Sequence, residues 1–166
     1  MANQGLYRRM WDKQQGFVLS KGGGSAQVEW NRIGQLPFFH GLEPAAQQEI
    51  SRLFVTEKFE SGARIVEQGD EGDKFYIIVR GKVDVIVHLR QTGERKKVAV
   101  LEDGDHFGEI ALLHNVPRTA SIVAQSPCVC LVLSSEDFHP LMTRFPSIRE
   151  ALEASLRTRN QRSESQ

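Results

Sequence analysis

From Val55 onward the chain changes period. Short apolar segments alternate with turns built on glycine, and this punctuation restricts the possible folds more than any other feature of the sequence. Val55 to Phe59 is extended, and Ser61-Gly62 turns it; Arg64-Ile65-Val66 is short and extended, and Gln68 to Asp73 is a long turn. Lys74 to Arg80 (Lys-Phe-Tyr-Ile-Ile-Val-Arg) is apolar enough to be buried on both faces, and Gly81-Lys82 turns it. Val83, Val85 and Val87 alternate with Asp84, Ile86 and His88; Gln91 to Glu94 is a hairpin tip, Lys97 to Leu101 returns, and Glu102 to Asp105 turns. Ser121 to Ala124 and Cys128 to Leu133 follow on either side of Ser126-Pro127. Closely spaced short strands of this kind predict a mostly β fold, an antiparallel β-roll or jelly-roll barrel.

Helical patterns flank the strands. Residues 1–20 carry Leu6, Tyr7, Met10 and Trp11 at helical spacing, Lys21 to Ser25 is a glycine-rich linker, and Glu29 to Leu36 is a second short helix. The glycine run lacks the Lys-Ser/Thr pair of a phosphate loop. Trp11 and Trp30 are expected to anchor these segments on the barrel or on a partner. Pro44 opens a helix with Ala45, Ala46, Ile50, Leu53 and Phe54 as its apolar stripe. Beyond the strands, Ser134-Ser135 caps a helix to about Arg144, and Ser147 with Glu150 has capping-box spacing for a last helix. The expected organisation is an N-terminal helical segment and linker over 1–34, a β-roll domain over 35–145, and a C-terminal helix with a polar tail over 146–166.

Composition narrows the function. Lys+Arg and Asp+Glu number 21 each, a balance that argues against a duplex nucleic-acid surface and is neutral toward one small anion. The two cysteines, Cys128 and Cys130, lie two apart in a strand and are expected to be small buried residues, without a disulfide. No apolar run is long enough to span a membrane, and no secretory signal is evident, so a reducing cytoplasmic setting is expected. None of the histidines forms the His-x-His pair of a cupin metal site, and no supported nucleophile-base motif occurs, so neither a metal, a cofactor nor catalysis is expected.

The stretch Phe107 to Ser121 concentrates the chemistry. Gly108 precedes Glu109 to Leu113, long enough for one or two helical turns, and the first amides of a helix attract anions. Pro117 ends the run and Arg118 follows, a residue able to hold two phosphate oxygens in one plane. Glu109 only accepts hydrogen bonds when ionised, so beside an anion it needs a ligand donor such as a sugar hydroxyl. Together these residues describe a cyclic ribose phosphate. Taken singly they also suit an ordinary helix start and a surface ion pair of Arg118, worth at most about 1 kcal/mol.

Phe107-Gly108-Glu109-Ile110-Ala111-Leu112-Leu113, followed by Pro117 to Ala124, resembles the phosphate-binding cassette of cyclic nucleotide-binding domains. That family includes kinase regulatory subunits, cyclic nucleotide-gated channels and the bacterial catabolite activator. Gly62, Gly69 to Asp73, Tyr76-Ile77-Ile78, Gly81-Lys82-Val83 and Gly104-Asp105 match its glycine-turned roll in order, so the resemblance covers about Leu36 to Phe145. It implies that Arg118 grips the cyclic phosphate, that Glu109 accepts from the ribose 2′-hydroxyl, and that amides near Gly108, Ile110 and Ala111 support phosphate and sugar. It further implies that Val85 and Leu101 line the base pocket, and Phe107, Thr119 and Ala120 complete the set. Threonine at position 119 can bond a guanine amino group, although members that prefer cyclic AMP carry it too. The ligand would be cAMP or cGMP. The final helices, Ser135 to Arg144 and Ser147 to Arg159, would be the switch, with Arg157 and Arg159 as candidates to touch the base.

The implied role is a non-catalytic sensor that regulates a fused or partner protein. No DNA-reading helix pair is expected in the residues after the roll. Gly5 to Phe17 is similar to the segment that closes the ATPase domain of ABC exporters, which implies a transporter ATPase as partner and a position at the cytosolic face of the membrane. The alternative is an interaction scaffold that keeps the fold without the nucleotide.

Overall fold

A computed structural model describes Leu36, Phe39 and residues 41–165, with side chains placed as far as Arg157. The two helices expected before position 36, the glycine linker, both tryptophans and the Gly5 to Phe17 stretch lie outside the described residues, as does the side chain of Arg159. The described residues form helix α1 (Pro44–Ser51), strands β1 (Val55–Phe59), β2 (Arg64–Val66), β3 (Lys74–Arg80), β4 (Lys82–His88), β5 (Arg95–Glu102) and β6 (His106–Phe107), helix α2 (Glu109–His114), strands β7 (Ser121–Ala124) and β8 (Cys128–Ser134), and helices α3 (Ser135–Arg144) and α4 (Pro146–Ser165).

The strands make two four-stranded antiparallel sheets, ordered β1-β8-β3-β6 and β2-β7-β4-β5. Each keeps open edges, so the expected roll is two facing sheets and not a closed barrel. The near-continuous apolar run of β3 has a direct cause: both its faces are covered. Phe75, Ile77 and Val79 join Leu131 and Leu133 of β8 in a cluster with Phe138, Leu141, Ile148 and Leu152 of the helices. Tyr76 and Ile78 point the other way and join Cys128, Cys130 and Val132 in a cluster with Val83 and Ile122 of the second sheet. The period of two thus splits each central strand between a helix-side core and an inter-sheet core. Cys128 and Cys130 share the inter-sheet face, buried and unbridged.

Helix boundaries follow local chemistry. Pro44 sits in the first turn of α1. Ser134 caps α3, its hydroxyl accepting from the Asp137 amide at 3.3 Å. The last helix corrects an expectation: α4 begins at Pro146, so Ser147 lies inside its first turn. Proline has no amide hydrogen to lose there, and its fixed φ suits the first helical position. Two strand boundaries also move. β5 starts at Arg95, two residues before the expected Lys97, and His106–Phe107 forms a short strand where a turn was expected to run straight into the loop. Among the described residues no helix is long and apolar enough to cross a membrane.

Candidate functional site

A cavity of about 560 Å³ opens between the second sheet and the β6–α2 segment, a size typical of small-molecule sites. Val85, Leu101, Phe107, Gly108, Glu109, Ile110, Ala111, Arg118, Thr119 and Ala120, the whole set singled out in the sequence, line it. Val66, Val87, Val98, Ala99, Val100, Asp105 and Ile122 line it as well and were missed. Alternation could have supplied Val87, since it shares a strand face with Val85.

Gly108 makes the junction of β6 and α2. Its φ of 97° lies in the left-handed region, and a Cβ there would stand 2.7 Å from the Lys74 carbonyl oxygen and 2.9 Å from Arg118 Nη1. Glycine is therefore required for conformation and for space at once. Gly72 performs the second close approach: a Cβ on it would fall 2.3 Å from that of Ala111 and 3.5 Å from Arg118 Cζ. The loop before β3 thereby packs directly on the first turn of α2 and on the arginine. At the far end of α2, Asn115 adopts φ 52° and closes the helix in the left-handed cap that asparagine tolerates.

Arg118 is held from four sides. Its Nη1 donates to the Gly108 carbonyl at 3.1 Å and its Nη2 to the Lys74 carbonyl at 2.9 Å. Its backbone amide donates to the Asp70 carbonyl, and its own carbonyl accepts from the Gly69 amide, both at 2.8 Å. Asp73 Oδ1 stands 4.0 Å from Nη2. The residue is only 6% exposed, which excludes the surface ion pair that the sequence left open. Burial pulls the guanidinium below its ordinary pKa, and the nearby Tyr76, Asp73, Glu109 and Asp70 oppose that pull. Arginine stays charged through such a shift, so the cavity wall carries a buried cation.

Glu109 is 1% exposed, at the first position of α2. Its Oε2 lies 3.2 Å from Nδ1 of His106, which is 3% exposed. The pairing of β6 with β3 sets these positions: Phe107 opposes Tyr76 and His106 opposes Ile77. Phe107 consequently faces the cavity side and stacks on the Tyr76 ring, with centroids 4.7 Å apart and planes 9° from parallel. His106 faces the helix side, beside the Phe75 ring, and its Nε2 is 3.3 Å from the Ser155 hydroxyl of α4. Burial pushes the Tyr76 phenol up to about 12.

The remaining walls are mostly apolar, with Asp105 and Thr119 as the polar exceptions. β4 and β5 pair along their whole length, with an irregularity between Val85 and Ile86, and supply Val85, Val87, Val98, Val100 and Leu101. Val98 and Val100 are exposed at the mouth. Arg157 is exposed on α4 and is not among the lining residues. The arrangement offers a buried cation and a buried acceptor at one end and the apolar side chains of β4 and β5 at the other. Among the described residues no group of three His, Cys, Asp or Glu side chains comes together as a metal site.

Comparison with known proteins gives this geometry a context. A family model described as cyclic nucleotide-binding domain matches residues 56–145. A cAMP-dependent protein kinase regulatory subunit of Mucor circinelloides f. lusitanicus is 36% identical over 110 residues, 66% of this chain and 25% of that protein. A cGMP-dependent protein kinase of Eimeria tenella is 36% identical over 104 residues, 63% of this chain and 10% of that protein. Among solved structures, the regulatory domain of Toxoplasma gondii PKA in a co-crystal with cAMP aligns with a TM-score of 0.73 and 26% identity, over 80% of this chain and 50% of that one. The chain spans a quarter or less of the length of these two curated relatives.

Proposed function

The chain belongs to the cyclic nucleotide-binding domain family, and we propose that it is a sensor module that binds cAMP or cGMP and transmits that binding to a fused or partner protein. One observation carries the reading: a buried arginine and a buried carboxylate share a cavity whose other walls are apolar except at Asp105 and Thr119. A cyclic nucleotide has the matching parts. Its phosphate would take the charge-assisted donors of Arg118 and the amides around Gly108, Ile110 and Ala111. Its 2′-hydroxyl would donate to Glu109. Its base would lie on Val85, Leu101 and the neighbouring valines, with Thr119 and Ala120 at the side and Phe107 beneath. The role proposed for the module is to bind and to transmit.

Residues 35–145 would be the binding unit, 146–166 the moving element, and 1–34 the connection to the rest of the protein. Arg157 is the described candidate to reach the base, through a movement of α4. The relatives named above are kinase proteins, while the resemblance of Gly5 to Phe17 to the end of an ABC ATPase domain motivates a transporter ATPase as partner, at the cytosolic face of a membrane.

Calorimetric titration with cAMP and with cGMP tests the reading. Saturable binding of one or both is expected, and the stronger of the two names the signal. Absence of binding to either at millimolar concentration overturns it and leaves the scaffold alternative.

A further inference from the structure

We propose that His106 is a positioning residue for Glu109 and the link through which the sugar contact is carried to α4. The inference rests on the reading that the cavity takes a cyclic nucleotide whose 2′-hydroxyl donates to Glu109. Three facts place His106 between the two. Strand alternation turns its ring away from the cavity, toward the helix-side core, while its neighbour Phe107 lines the cavity. Its Nδ1 is 3.2 Å from Glu109 Oε2. Its Nε2 is 3.3 Å from Ser155 Oγ.

The chemistry follows from a rigid ring. A carboxylate removed from water is costly unless opposing charge or donors face it. His106 supplies that from one side and Arg118 from the cavity side. Fixing one carboxylate oxygen fixes the plane of the group, and with it the direction in which the other oxygen accepts. The carboxylate favours the tautomer with its proton on Nδ1, which leaves Nε2 to accept from the Ser155 hydroxyl. Nδ1 and Nε2 belong to one rigid ring, so any shift of Glu109 on meeting a hydroxyl moves the Ser155 contact as well. Ser155 lies between Leu152 and Leu156, both buried, so the displacement reaches the packed face of α4. The Phe75 ring, 5.8 Å away by centroids, holds the imidazole from the β3 side.

The test compares each cyclic nucleotide with its 2′-deoxy analogue, by calorimetry on the full chain. The wild type is expected to prefer the ribo form by about 10-fold or more, the effect of a hydrogen bond to a charged acceptor. His106→Phe should reduce that ratio to about 3-fold or less while leaving the 2′-deoxy affinity nearly unchanged, and His106→Gln, which retains a donor, should restore part of it. His106→Leu serves the same purpose if the phenylalanine variant does not fold. Hydrogen exchange of α4 amides with and without nucleotide reads the second half. The nucleotide-dependent change in α4 should shrink in Ser155→Ala, with the ribo/deoxy ratio kept. An unchanged ratio in the His106 variants overturns the positioning role, and an unchanged α4 response in Ser155→Ala overturns the link. A wild type that binds neither nucleotide removes the underlying reading itself, an outcome distinct from both.

Discussion

The two sheets have equal strand numbers and opposite surroundings. In the β1-β8-β3-β6 sheet the central strands are buried almost throughout, covered by helices on one face and by the second sheet on the other. In the β2-β7-β4-β5 sheet only the inner positions are buried, and β5, at its edge, is exposed over most of its length. The first sheet anchors the core; the second leaves valines at a cavity mouth. Under the proposed function this is a division of labour: stability would reside mainly in the first sheet and contact with the base in the second. The β6–α2 segment and Arg118 tie them together, because Arg118 donates to the Lys74 carbonyl at the start of β3 while lining the cavity.

The largest effects should come from breaking the tie. Arg118→Ala removes two charge-assisted hydrogen bonds and the cation, so loss of nucleotide affinity by at least about 100-fold is expected in calorimetry. Because the variant also removes the side-chain donors to the Gly108 and Lys74 carbonyls, its urea midpoint should fall with it. An affinity within threefold of wild type would place the phosphate elsewhere. Leu131→Ala, in the centre of the first sheet, should cost about 2–5 kcal/mol in urea unfolding. Nucleotide affinity should persist in whatever fraction stays folded. Gly108→Ala forces a side chain into a left-handed φ and against the Lys74 carbonyl, a strain of about 1–3 kcal/mol that should lower both stability and affinity. Equal wild-type values in both assays would show that the junction can relax.

Smaller effects sharpen the same contrast. The Tyr76 phenol is raised from 10.0 to about 12 by burial, so the fold favours its neutral form. The unfolded chain ionises first as pH rises past 10, so this contribution is complete below that pH and is lost progressively up to about pH 12. Urea midpoints followed over this range should decline in the wild type and decline less in Tyr76→Phe. Val100→Ala, at the cavity mouth, should change stability by no more than about 0.5 kcal/mol and weaken nucleotide binding modestly. A stability loss matching that of Leu131→Ala would erase the distinction between the sheets.

Legibility in the sequence follows the range of the interactions. The strands are set by local alternation and by turns, so β1 to β4, β7 and β8 could be read nearly to the residue. The cap of α3 is local too. Ser147 misled because a serine three residues before a glutamate resembles a cap, while the proline ahead of it starts the helix. The ten cavity residues were legible through the motif and its resemblance to a family. What could not be read is contact between distant segments. Nothing near Arg118 in sequence announces the Lys74 carbonyl, 44 residues away. Nothing near His106 announces Ser155, 49 residues away. The additional valines of β5 were missed because they are exposed at the cavity mouth, and nothing in local alternation marks such positions as lining.

The double anchoring of Arg118 has a kinetic consequence. A free arginine must give up several rotatable bonds when it closes on an anion, a cost of about 0.5–1.5 kcal/mol for an immobilised side chain. Here the backbone carbonyls of Gly108 and Lys74 have already set the rotamer. The guanidinium is preorganised, and under the proposed function an arriving phosphate would meet a fixed cation with no search over conformations. Association should then be limited by diffusion into the cavity, and differences in affinity between ligands should appear chiefly in how quickly they leave.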